Sequence, residues 1–121
     1  MSDLRFEARA SEYLLEIGLT ANLKGFAYLR RAILIAAEDE HAIYRITKQI
    51  YPAIAEEYHV NTICVERAMR HAIEKAWNHH TEAVLYHFFG NSISEFKGKP
   101  TNSEFIAMIA DRIRLQRKVK A

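Results

Sequence analysis

The chain is predicted to be all-α, a compact bundle of about six helices that contains a helix-turn-helix. Apolar residues recur at spacings of three and four along most of its 121 residues, the signature of amphipathic helices. Helix stop and start signals, among them Gly18, Pro52, Gly90 and Pro100, divide these stretches. No run alternates apolar and polar residues as a half-buried strand would. Half of the residues are apolar. At this length that is enough for one core, so residues 1–121 are read as a single unit.

Taken in order, residues 4–17 place Leu4, Ala8, Leu14, Leu15 and Ile17 along a first helix that Gly18 stops. Thr20 to Gly25 reads as a connector. Phe26 to Ala37 is apolar apart from Arg30 and Arg31, which predicts the central buried helix. The acidic Glu38–Asp39–Glu40 ends it, and residues 41–50 form a further short helix. Thr81 to Phe89 is amphipathic and closed by Gly90, and Asn91 to Lys99 reads as a loop. Beyond Pro100, Thr101 and Glu104 have the spacing of a reciprocal capping box. Phe105, Met108, Ile109 and Ile113 then supply the inner face of the last helix.

Residues 52–77 carry the most information. Pro52 suits the first turn of a helix, where the amide it lacks would have no partner. Ile54, Ala55 and Tyr58 form one apolar face. His59 and Val60 break the pattern at a turn, and histidine tolerates the left-handed backbone region better than most residues. Asn61 or Thr62 can cap the next helix. There Val65, Ala68, Met69, Ala72, Ile73, Ala76 and Trp77 mark a buried side, and Ile63, Glu66, Arg67, Arg70 and Glu74 mark an outward one. A short helix, a tight turn and a longer helix with arginines near its start is the plan of a DNA-reading helix-turn-helix. The same spacing also suits an ordinary helical hairpin.

Composition narrows the function classes. No apolar run is long enough to span a membrane, and the charged first residues do not resemble a secretory leader. The one cysteine, Cys64, excludes an internal disulfide framework and favours a reducing compartment. The net charge of +2 is small for a nucleic-acid binder. Its distribution is more telling. Residues 1–60 carry seven basic and nine acidic side chains, and residues 61–121 carry ten and six. The positive excess thus lies in the half that holds the arginine-bearing helix, which should lie nearest the phosphates.

Long strings then point to a family. EIG and KGFAYLRRAI, ITKQIYPAIAEEY and VERAMRHAIEKAW, and KPTNSEFIAMIADRIRL occur in order between about Tyr13 and Leu115. In these the chain resembles the C-terminal effector domain of the master response regulator of sporulation initiation in endospore-forming bacteria. The resemblance implies an all-helical, non-enzymatic domain in the cytoplasm, associated with the nucleoid. Such a domain binds double-stranded DNA at short promoter boxes, as a homodimer on tandem boxes, and contacts the sigma subunit of RNA polymerase.

By the same resemblance, Glu66, Arg67, Arg70 and His71 are the base-reading and phosphate-contacting residues. Asn61, Thr62, Ile63 and Cys64 at the start of the same helix complete the DNA-binding set. The chemistry agrees, because a guanidinium can bond both O6 and N7 of guanine and a carboxylate can accept from the amino group of cytosine. Arg67 is therefore assigned to guanine, Glu66 to cytosine, and Arg70 and His71 to phosphates. Two departures stand out. Cys64 lies where the family usually has a base-contacting arginine, and Ile63 where it has a small polar residue. The family's phosphorylated receiver domain has no counterpart in the dozen residues before the match, which suggests either an excised fragment or a stand-alone effector.

His80 to Ile93 maps onto the family's sigma-proximal region, although an amphipathic connector packed on the core fits equally well. No metal or other cofactor is expected. Adjacent His79 and His80 point apart on a helix, and neither they nor His87 have a cysteine or carboxylate cluster beside them. Cys64 reads as an inert thiol unless neighbouring cations lower its pKa. Arg112, Arg114, Arg117, Lys118 and Lys120 form a basic tail, suited either to phosphates or to the negative end of a helix dipole. Tyr28, Trp77 and Phe105 read as core. A protein-interaction module that holds a sigma factor or a related regulator is the alternative function. An enzyme is not expected, since no nucleophile–base pair, glycine-rich phosphate loop or metal motif is present.

Overall fold

The structure is a computed structural model and describes residues 4–78, 82–90 and 99–120. It is all-α, with α1 over Leu4–Ile17, α2 over Lys24–Glu38, α3 over Tyr51–Tyr58, α4 over Thr62–Asn78, α5 over Glu82–Phe89 and α6 over Asn102–Lys120. No strand occurs among the described residues. Residues 91–98 of the expected loop at 91–99, and the start of the expected helix at Thr81, lie outside them.

Helix α2 is the hub and packs against α1, α4 and α6. Its buried residues are Gly25, Phe26, Tyr28, Leu29, Ala32, Ile33, Ala36 and Ala37, as the near-continuous apolar run predicted. Gly25 belongs to the helix rather than to the expected connector, since α2 already begins at Lys24. Glycine there answers to packing rather than to a turn. A Cβ at Gly25 would overlap the Ala68 carbonyl oxygen and fall 2.8 Å from the Ala72 Cβ. The missing side chain lets α2 and α4 cross almost backbone to backbone.

The inner face of α1 also differs in detail from the sequence reading. Phe6, Ala10, Tyr13, Leu14 and Ile17 are buried, whereas Ala8 and Leu15 face solvent. At 3.6 residues per turn, Ala8 and Leu15 fall on the side opposite the stripe formed by the five buried residues. Gly18, at φ 113°, ends α1, and the Leu19 amide reaches back to the Leu14 carbonyl at 2.9 Å.

Residues 41–50 are not an α-helix. Ala42–Arg45 make a 3₁₀ turn, and Ile46–Ile50 make a π-helical turn that runs into α3. Pro52 has no amide and its ring crowds the carbonyl four residues earlier, so a widened turn just before it relieves the ladder. The capping box of α6 is present in both directions. The Glu104 amide donates to Thr101 Oγ1 at 3.1 Å, and the Thr101 amide donates to Glu104 Oε1 at 2.8 Å. Phe105, Ile106, Ile109, Ala110 and Ile113 of α6 are buried.

Candidate nucleic-acid interface

The path from α3 to α4 is tightly specified. His59 adopts the left-handed conformation (φ 58°, ψ 46°). The Val60 amide bonds the Ala55 carbonyl at 3.0 Å and the His59 amide bonds that of Glu56 at 3.4 Å, the two bonds of a Schellman stop. Histidine therefore does at this turn what glycine usually does. Asn61 follows as the N-cap of α4, its Oδ1 accepting from the Cys64 amide at 2.8 Å. Of the two expected caps, Asn61 is the one used.

Helix α4 then presents two sides. Val65, Met69, Ala72, Ile73 and Ala76 are buried against the bundle. Thr62, Ile63, Cys64, Arg67, Arg70 and His71 are exposed, Ile63 to 60%. Glu66 is half-buried at the edge and forms an ion pair with Arg70 one turn on. Arg67 makes no ion pair among the described residues, so its guanidinium is available to a ligand. Further along the helix Glu74 pairs with Lys99, whose ammonium holds the carboxyl below its ordinary value. The two acids on this side are thus each matched by a base, which leaves Arg67, His71 and exposed Lys75 as positive or ionisable groups.

The sequence residues expected to touch DNA are therefore brought together on one face, with Asn61 contributing through its cap. Two residues escaped the sequence reading. Asn102, the first residue of α6, is buried, and its Nδ2 donates to the Tyr51 hydroxyl at 3.0 Å and to the Glu66 main-chain carbonyl at 3.1 Å. Burial raises the Tyr51 phenol above its usual pKa, while the Asn102 bond acts in the opposite direction. A polar residue directly after an N-cap looks like helix-start chemistry, and only the meeting of three elements shows its second use.

The basic tail is partly diverted inward. Arg114 Nη1 donates to the Ala36 carbonyl at the end of α2 at 2.6 Å, and Arg112 lies over the rings of Tyr13 and Phe88 at 5.6 and 5.1 Å. These two cations stitch α6 to α1, α2 and α5, so they are not free for phosphates. The side chains of Arg117, Lys118 and Lys120 lie outside the described ones, as do His79 and His80. Helix α5 buries Leu85, Phe88 and Phe89 and exposes Tyr86 and His87. Among the described residues, no three His, Cys, Asp or Glu side chains gather as a metal site, and no helix is long and apolar enough to cross a membrane.

The family model described as "Sporulation initiation factor Spo0A C terminal" matches residues 10–113. The chain belongs to this family. The match takes in all of α2 to α5, the turn between α3 and α4, and α6 as far as Ile113. Spo0A C-terminal domains are DNA-binding effector domains of sporulation response regulators, a regulatory rather than a catalytic family. The chain is accordingly a DNA-binding transcription regulator, and double-stranded DNA is its partner.

Proposed function

We propose that α3 and α4 act as a helix-turn-helix whose second helix enters the major groove and reads promoter boxes. The observation that carries this is Arg67. It is exposed near the start of α4 and has no ion-pair partner among the described residues, and the opposite side of its helix is locked into the core. A bidentate arginine–guanine contact discriminates by about 1–3 kcal/mol, which a solvated, unpaired guanidinium is ready to supply. Glu66 takes the amino group of a cytosine, with Arg70 beside it steadying the carboxylate and reaching a phosphate. His71 lies one turn beyond Arg67 and meets the backbone. Asn61, Thr62, Ile63 and Cys64 line the leading end, where Ile63 can touch a thymine methyl.

Cys64 bears on which box is read. It sits at the third position of α4 with its side chain exposed, so an arginine there would point outward from the same place. Selection of bound duplexes from a random pool, for the natural chain and for Cys64→Arg, tests the reading. The natural chain should return a defined consensus, and the variant one additional guanine. Recovery of unselected sequences by the natural chain would refute specific reading, and an unchanged consensus in the variant would put Cys64 outside the groove. Binding as a homodimer to tandem boxes and contact of α5 with the sigma subunit belong to the same proposal. Tyr86 and His87 lie on the exposed side of α5, where Arg112 already touches the His87 ring and carbonyl.

A further inference from the structure

We infer that Asn102 is a positioning residue for DNA reading, setting the rotation of α4 about its own axis through the Glu66 carbonyl. The inference rests on the proposed role of α4 and extends it to a residue outside the groove. Apolar burial is non-directional, so the packed side of α4 fixes its distance from the bundle more firmly than its rotation. Hydrogen bonds are directional. A rotation of about 15° moves a side-chain tip at the outer radius of a helix by roughly 1.5 Å, enough to misplace a bidentate contact.

The geometry suits this task. Among the described residues, Asn102 is the sole buried amide or charged side chain, 7% exposed. One NH₂ group spends both hydrogens on two different elements, the Tyr51 hydroxyl at the head of α3 and the Glu66 carbonyl in the second turn of α4. A carbonyl has two lone pairs, so it can accept this bond as well as its helical one. Glu66 is also the residue whose side chain is assigned to a base, so the clamp acts at the reading position itself. The other end of the network reaches the same place, since the Glu66 and Arg70 charges both act on the Tyr51 phenol.

Asn102 is itself held from behind. Thr101 and Glu104 close the capping box around it, and Lys99 pairs with Glu74 two turns further along α4. Residues 99–104 thus brace the recognition helix at two points along its length. The pattern KPTN therefore does more than start a helix.

The test uses the purified chain, Asn102→Leu and Tyr51→Phe. Leucine keeps the volume and loses both donors, while phenylalanine removes one acceptor and leaves the Glu66 bond. Affinities are measured for the duplex that the natural chain selects from a random pool and for a scrambled duplex of equal length. Backbone amide exchange is followed in the absence of DNA. The ratio of selected to scrambled affinity should fall about tenfold in Asn102→Leu, the size of one lost base contact, and about threefold in Tyr51→Phe. Affinity for the scrambled duplex and its salt dependence should stay put, because phosphate contacts tolerate small rotations. Amides of residues 66–70 should exchange faster, with those of α1 unchanged. A purely stabilising role would move melting temperature but leave the ratio alone. Unchanged ratios and unchanged exchange at 66–70 would overturn the inference, and Tyr51→Phe alone decides it should Asn102→Leu fail to fold. A natural chain that binds both duplexes equally overturns the reading beneath it, and that result is visible before any variant is made.

Discussion

Gly25→Ala offers a test in which the sign of the effect decides the argument. In an ordinary helix the replacement stabilises, because alanine loses less backbone entropy on folding, by about 0.5–1 kcal/mol. Here the added Cβ would overlap the Ala68 carbonyl oxygen and lie 2.8 Å from the Ala72 Cβ. The first is a main-chain atom inside a 17-residue helix, and the second belongs to a buried side chain with no rotamer to change. Neither can swing away, so α2 and α4 must move apart. Overpacking of this kind typically costs about 1–3 kcal/mol. Set against the propensity gain, the net effect is a destabilisation of roughly 0.5–2 kcal/mol. That corresponds to a fall of a few degrees in melting temperature for a chain of this size. Thermal and urea melts followed by circular dichroism measure it directly. DNA binding supplies a second reading, since α4 would be lifted from the hub, and affinity should drop even well below the melting transition. A Gly25→Ala chain that is as stable as the natural one, or more so, would refute the close crossing.

Other outcomes follow from the same geometry. Asn61→Ala should lose about 1 kcal/mol of stability, read from the urea midpoint, because the Cys64 amide loses its cap. Arg67→Ala should relax preference at one base pair by roughly 5- to 150-fold while leaving binding to scrambled DNA nearly intact. Arg70→Ala should instead weaken binding to every duplex and reduce the salt slope by about one phosphate contact, both read by anisotropy titration. Lys99 holds the Glu74 carboxyl below 4.5 in the folded chain, so the pair's contribution is complete above that value and is lost as pH falls through the lower, folded one. Glu74→Gln should therefore have a flatter acid limb of stability against pH, and an unchanged limb would show that the pair does not operate in solution.

Much of the candidate face could be read from residue order. The cap at Asn61, the left-handed turn at His59, the buried stripe of α4 and the exposed Ile63, Arg67 and Arg70 all follow from local rules. These rules involve neighbours within four or five residues, and a helix face is set by a period that the sequence displays. The capping box at Thr101 and Glu104 was legible for the same reason. The family strings added the chemistry, because they carry identities that no periodicity can supply.

What remained hidden were contacts between residues far apart in sequence. Gly25 reads as the end of a connector, and only its crossing with α4 shows that it is a contact point. Arg112 and Arg114 resembled a solvated tail, yet one covers aromatic rings and the other caps the end of α2. Asn102 looked like part of a helix start until Tyr51 and Glu66 were found within reach of its amide. Local propensity and apolar periodicity are properties of short windows, so residue order alone settles which segments are helical and which side each buries. How closely two helices approach, which cation turns inward and which buried amide joins three elements depend on the mutual placement of those sides, which exists only once the bundle has assembled.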